Sequence, residues 1–344
     1  MTDEEVVDLV KSTQRDLGPM KPTNFATTLQ HHEFWNRIMR QDNVKYDGGT
    51  AIEETPLINK STATRHTNPM KKDIVNIEDG LSKISAPWRH TTSNYAIIRQ
   101  HLLMNKGGKK IVDMVKTKRA MMMTGMAELM EEAAWGKPAD SSDEETPWGV
   151  AMYIVYSAGG TGGFDGGLPS GFTTAPWGLN HARYKNWSDT YANVTKSDLI
   201  KKMRKAYRKI NFKLPVDVEG LRSGVGQQFR IYVNDTTISE IEDVGEAQNE
   251  NLGKDIASMD GQTVFRKAPI IHVPALDANA NYTDPVLMLD MGSLYPVFLE
   301  GDFMRESDPI IPAYQHNIVI TYVDNSWNIW CANRRGNAVL AKNA

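Results

Sequence analysis

"GGTAIEETPLINKSTATRHTNPMKKDIVNIEDGLSKISAPWRHTT", residues 48–92, decides how the chain is read. It is rich in Thr, Lys and Asn, and its β-type residues sit among turn signals at Asn68-Pro69 and Asp79-Gly80. The pattern predicts short strands around 50–58, 73–77 and 83–90, forming an extended two-stranded ribbon. Such a ribbon is marginal by itself in water. Nothing adjacent in the sequence supplies a surface for it, so it must lie on the chain's own body or on a neighbouring molecule. The reading favours the neighbour.

Outward from the ribbon, residues 1–45 hold a short acidic helix, then "GPMKP", then a loosely periodic stretch with Asn24 as a helix cap. Phe25, Leu29, Trp35, Ile38 and Met39 are its apolar positions, too few for a core, so the segment reads as an arm that docks elsewhere. On the other side lies the longest helical signal, from Lys109 to Trp135. Ile111, Val115, Met122, Met126, Leu129 and Ala133 recur at helical spacing, and Gly136 and Pro138 stop the pattern. A helix of this length spans about 40 Å. Its first half carries Lys109, Lys110, Lys116, Lys118 and Arg119, and its second half Glu128, Glu131 and Glu132. That order opposes the helix dipole, and a solvated face is the simplest expectation for these charges.

Residues 138–147, "PADSSDEETP", read as an exposed acidic linker. A second helix is expected from about Ser197 to Phe212, with Thr195 and Asp198 at capping-box spacing. Leu199, Ile200, Met203, Tyr207 and Ile210 form its apolar stripe. Lys201, Lys202, Arg204, Lys205, Arg208 and Lys209 make the outer face basic, solvated or subunit-facing in preference to DNA-facing, because no aromatics interleave for base stacking. After Pro215 come strands: "QFRIYVND" with Asn234 or Asp235 capping a helix to about Ala247, then "TVFRKAPIIHVPALD", "DPVLMLD" and "LYPVFLEG". The closing stretch predicts a meander, with two β-runs turning at Asp324-Asn325 and a third after Arg335-Gly336. The fold class is α+β, with segregated helices and antiparallel strands.

The composition limits the function. The chain has 344 residues, a net charge of −3 and a pI near 6.3, which argues against a general nucleic-acid binder. Its one cysteine, Cys331, excludes a disulfide framework and a multi-cysteine metal site. No apolar run is long enough to span a membrane, and "MTDEEVVDLVKS" lacks signal-peptide character. "YSAGGTGGFDGG", residues 156–167, looks like a phosphate loop but fails both strict patterns: Leu168 and Pro169 follow Gly167, and Asp165 interrupts the Gly160–Gly162 start. It is expected to be a mobile polar loop. "HHEFW" at 31–35 lacks zinc-protease spacing, the remaining histidines are dispersed, and His272 reads as a satisfied strand residue. No catalytic, cofactor or metal set assembles.

Taken in order, these parts resemble tailed-bacteriophage major capsid proteins of the Hong Kong 97-like fold. The carrying residues are "GGTAIEE" (48–54), "APWRHTTSNYAI" (86–97), "FRIYVND" (229–235), "NENLGKD" (249–255), "GQTVFRKAPIIHVPALD" (261–277) and "WNIWCANRRGNAVL" (327–340). The resemblance covers nearly the whole chain. It implies an N-terminal arm at 1–45, an elongation loop at 46–92, and a peripheral domain at 93–215 with a spine helix at about 106–135. An axial domain would follow at 216–315, with a return to the peripheral domain at 316–344.

It also implies self-assembly into hexamers and pentamers that close an icosahedral shell around double-stranded DNA. Portal and separate scaffolding proteins would be partners, with decoration proteins as further candidates. The place of the chain would be the virion, after assembly in the bacterial cytoplasm. Arg65, Lys71, Lys72, Trp88 and Arg89 are the candidate intersubunit contacts, and Gly125, within "AMMMTGMAELM", is the candidate flexing point of the spine. Lys60, Lys71 and Lys72 lie where some members form crosslinks, but no motif selects one. The glycine loop would lie near a subunit junction. Two other readings remain at this stage: an encapsulin-type compartment enclosing enzyme cargo, and a soluble α+β enzyme with an anion-binding loop.

Overall fold

The computed structural model describes residues 3–17, 34–35, 38, 44–56, 64–70, 81–98, 100, 108–210, 229–249, 263–266, 268–315 and 317–343. Its long element is helix α2, Gly108–Trp135, after an N-terminal helix α1, Asp3–Leu17. Val115, Arg119, Met122, Met126, Met130 and Ala134 are buried along α2 at steps of three and four, one continuous stripe. Leu129, expected in that stripe, is exposed, and Met130 takes the place. The expected face holds at Val115, Met122 and Met126 and slips by one residue toward the C-terminal end. Ile111 lies outside the described side chains.

Two charges of α2 are not solvated. Arg119 donates from Nε and Nη2 to the two Glu306 carboxylate oxygens at 2.8 and 2.9 Å. Glu131 is buried and accepts from Trp135 Nε1 at 2.8 Å. The first of these fixes the helix to a distant strand pair, which explains a charge that the helix dipole does not favour.

The α2 stripe and α1 pack on a sheet built around one strand, β12, Ile318–Cys331. On one side β12 pairs antiparallel with β4, Arg89–Ile98, from Ile318↔Ile98 to Trp327↔Arg89. It also pairs with β11, Arg305–Glu306, and with β10, Leu294–Leu299, which in turn carries β1, Lys45–Asp47, in parallel. The turn expected at Asp324-Asn325 does not occur. Thr92 Oγ1 donates to Asp324 Oδ1 at 3.0 Å on the outer face, and Asn325 is fully buried on the inner face. The ladder on β4 overrides the local turn preference of Asp-Asn.

The second sheet has the order β5-β13-β9-β6-β8-β7. Its strands are Trp187–Tyr191, Ala338–Lys342, Val286–Asp290, Phe229–Val233, Ala268–His272 and Val264–Phe265. The β13–β5 and β6–β8 pairs are parallel, so the all-antiparallel expectation is corrected to a mixed sheet. One face, with Trp187, Leu340, Met288, Ile231 and Ile270, is covered by helices α3, Leu199–Ile210, and α4, Asp235–Asn249. The other, with Tyr232, Leu287, Leu289 and Val339, faces the first core. This sheet gathers 187–210, 229–290 and 338–342, across the divisions expected at 215/216 and 315/316.

An aromatic cluster joins the parts. Phe34 lies 4.6 Å from Trp135 and 5.8 Å from Tyr232, and Trp35 lies 5.2 Å from Trp327. Trp35 Nε1 donates to Met130 O at 2.8 Å. Such contacts contribute about 0.5–1.5 kcal/mol each beyond burial. Four residues of the arm, Val10, Phe34, Trp35 and Ile38, are thus buried in their own chain's core. The arm, too poor in apolar positions for a core of its own, therefore docks on the main core of its own chain. The proposed cap Asn24, with Phe25, Leu29 and Met39, lies outside the described residues.

Candidate assembly surface

The ribbon has a root and a tip with opposite character. At the root, β2, Ala51–Glu54, pairs antiparallel with β3, Ile84–Pro87, in the register Ile52↔Ala86 and Glu54↔Ile84. Ile52, Ile84 and Ala86 are buried in the first core. Glu54 ties the root down: one oxygen accepts from Trp330 Nε1 at 2.7 Å, the other from Tyr295 OH at 2.9 Å and Lys45 Nζ at 3.3 Å. Ser85 N donates to Trp177 O at 3.2 Å. After Trp88 the chain runs into β4, so the ribbon's return strand is continuous with the long ladder on β12. The base of the ribbon therefore lies on its own molecule, where the sequence reading favoured a neighbour.

The tip does not share it. Residues 64–70 are all exposed, and Met70 is 97% accessible. The expected turn at Asn68-Pro69 is present, closed by Met70 N donating to Asn68 Oδ1 at 3.2 Å. Met70 is the exposed apolar side chain of this turn. The strand expected at 73–77 and the turn at Asp79-Gly80 fall outside the described residues.

The candidate contact residues separate on this geometry. Arg65 lies on the exposed tip. Lys71 and Lys72 lie outside the described residues. Trp88 is half-buried and donates from Nε1 to Gly49 O at 3.0 Å, closing the root. Arg89 donates to Glu144 O at 2.6 Å and Asp143 O at 2.7 Å. Trp88 and Arg89 thus have intrachain work, holding the ribbon base and the 139–146 loop. That loop is no loose linker. Asp143 accepts from the backbone of Thr146, Glu145 and Ala139, and these hydrogen bonds, Thr146 first, pull its carboxyl down to about 2.

Gly125 lies on the outer side of α2, and a Cβ there would meet nothing within 4 Å. Met121 and Leu129, one turn to either side, are exposed, so an apolar strip flanks it. Sequence periodicity missed Leu129 as a surface residue because adjacent Met130 fits the stripe equally well.

The glycine loop, expected to be a mobile polar loop, is tied to β5 and to Arg334. Gly163 and Ser188 exchange backbone hydrogen bonds at 3.2 and 2.9 Å. At Gly166 the Asn186 side chain occupies the place a Cβ would take, and Gly162 has φ +77°, so both positions need glycine. Arg334, buried, donates from Nε to Tyr153 O at 2.6 Å and from Nη2 to the carbonyls of Gly167 and Gly166 at 3.3 and 3.4 Å. Its guanidinium lies 4.1 Å over the Trp177 ring. Burial lowers its pKa to about 10. The glycines serve close approach to β5 and acceptance from this arginine. Their carbonyls point at a cation, the reverse of a phosphate cradle.

Cys331 is buried, and desolvation raises its thiol to about 12, which leaves no thiolate nucleophile. His272 caps the end of β8 against Asp277 at 3.0 Å, a satisfied residue as expected. Among the described residues no cluster of His, Cys, Asp or Glu could hold a metal ion, and no helix is long and apolar enough to cross a membrane.

No protein-family model and no curated protein matches the chain. Solved structures do. The cyanophage A-1(L) capsid matches with a TM-score of 0.56 at 11% identity, covering 88% of this chain and 91% of that one. The capsid of a native GTA particle matches at 0.52 and 12% identity, covering 95% and 92%. The mature capsid of bacteriophage PhiM1 matches at 0.51 and 10% identity, covering 88% and 86%. The chain shares the fold of these capsid proteins over about nine-tenths of its length, as the resemblance in its sequence implied.

Proposed function

We propose that this chain is the major capsid protein of a tailed double-stranded DNA bacteriophage, the repeating subunit of an icosahedral head. The observation that carries the reading is a ribbon rooted in its own core whose tip stands exposed, within a fold that matches capsid proteins over about nine-tenths of both chains. The role is mechanical: copies form hexamers and pentamers through large interfaces, of the order of 2,000–5,000 Å². The ribbon tip, with Arg65, Lys71 and Lys72, reaches a neighbouring copy, while Trp88 and Arg89 act indirectly by fixing the ribbon's exit. Gly125 is the point at which the spine bends when the shell changes form. The sheet bearing α3 and α4 forms the axial unit, and α2 with the β12 sheet the peripheral unit.

The near-neutral charge of the chain suits a container that packs DNA without gripping it. A portal, a scaffolding protein and decoration proteins complete the virion, which assembles in the host cytoplasm. The full chain, expressed with the gene products encoded beside it, is tested by sedimentation and electron microscopy. Closed shells containing DNA after packaging support the reading. Shells that enclose enzyme cargo and no DNA, or a persistent monomer, contradict it.

A further inference from the structure

Helices α3 and α4 lie on the same face of the second sheet, yet their charges are opposite. In α3, Lys201, Lys202, Arg204, Lys205, Arg208 and Lys209 occur with no acid. In α4, Asp235, Glu240, Glu242, Asp243 and Glu246 occur with no base. Lys201, Arg204, Lys205, Arg208 and Lys209 are exposed, as are Asp235, Glu242 and Asp243.

Local needs account for part of these charges: Lys205 Nζ lies 5.6 Å over the Trp187 ring, and Glu242 accepts from Thr263 Oγ1 at 3.0 Å. Lys202 pairs with Asp198 at 2.6 Å, and Arg208 and Lys209 suit the C-terminal end of a helix dipole. Lys201 and Arg204 stand in the first turns, where that dipole disfavours a cation. Asp235 suits the start of α4, but Asp243 lies beyond it. Among the described residues no ion pair joins the two helices. Each molecule thus presents a basic patch and a separate acidic patch on one outer layer.

We propose that these patches are the two halves of a head-to-tail joint, the basic face of α3 on one copy meeting the acidic face of α4 on the next. The proposal rests on the shell reading and names one of its contacts. Two different patches that complement each other give a heterologous interface, which closes into a ring when the rotation between copies permits. Complementary charge also fixes register and disfavours the like-to-like pairing of two α3 or two α4 helices. DNA fits this layer less well. A polyanion drawn to α3 would meet Asp235, Glu242 and Asp243 on the same face.

A charge swap tests the joint. Three full-length variants are compared with wild type: Arg204→Glu with Arg208→Glu, Glu242→Arg with Asp243→Arg, and all four together. The positions are exposed, and circular dichroism with thermal melting verifies folding. Each double reversal is expected to lower the assembled fraction about tenfold or more, and the fourfold swap to restore it to within about threefold of wild type. A folded fourfold variant that assembles no better than the doubles overturns the joint. So does an α3 reversal that assembles normally but loses bound DNA, since the basic face would then meet the genome. Wild-type chains forming no shells would remove the shell reading itself. Wild-type shells with a failed swap would remove only the joint.

Discussion

Cys331 shows how a residue's environment decides its chemistry. It sits at the end of β12 in full burial, with Asn337 Nδ2 at 3.7 Å from its sulfur. Its thiol is raised from the ordinary 9.0 to about 12 by desolvation. A raised thiol stays protonated in the folded chain while the unfolded chain ionises. The stability tied to it is therefore whole below about pH 9 and lost as the pH rises toward 12. Native protein at pH 8 is expected to resist thiol-specific alkylation, labelling only as fast as it unfolds. Rapid labelling without unfolding would show an accessible thiolate. Burial of this residue was legible from its setting between Trp330 and Ala332. Arg334 was not, because nothing in "NRRGN" distinguishes it from exposed Arg335. Its place follows from Tyr153, Gly166 and Gly167, which lie over 160 residues away in sequence.

The helices were legible where apolar spacing was regular and tertiary contacts agreed with it. Helix α2 covers Gly108–Trp135, against Lys109–Trp135 from the periodicity and about 106–135 from the resemblance. Half of the expected capping box forms: Asp198 N donates to Thr195 Oγ1 at 3.2 Å, while the Asp198 carboxylate accepts from Ala192 N and Asn193 N. The long strand was not legible, because Asp324-Asn325 signals a turn locally and only the partner strands suppress it. The Arg119–Glu306 bond was also invisible, joining residues far apart in sequence. Both side chains are largely buried, at 10% and 14% exposure. Arg119→Met is expected to cost about 3 kcal/mol, since it leaves a buried carboxylate unpaired. Chemical denaturation measures it, and a loss below about 1 kcal/mol would mean that the bond is not holding α2 to β11. Gly125→Ala should act oppositely. With open space at the Cβ and a helix-interior position, it is expected to stabilise the chain by about 1 kcal/mol. If the spine bends at Gly125, the same change slows expansion of assembled shells. Unaltered expansion kinetics, followed by light scattering, would place the bend elsewhere.

At the scale of the molecule, the order of parts could be read from the sequence because strands, helices and turns follow one another with distinct periodicities. The ownership of surfaces could not. The surface under the ribbon base could not be read because Glu54 finds Tyr295 and Trp330, as Phe34 and Trp35 of the arm find Trp135 and Trp327, all distant in sequence. Among the described residues, those left outward include 64–70 of the ribbon, Met121 and Leu129 on α2, and the oppositely charged faces of α3 and α4. The most direct test is a cryo-electron reconstruction of the assembled particle at side-chain detail. The account predicts the root Ile52–Glu54 packed on its own core and the tip 64–70 seated on an adjacent copy. A tip folded back onto its own body, or solvated with no neighbour within contact distance, would contradict it.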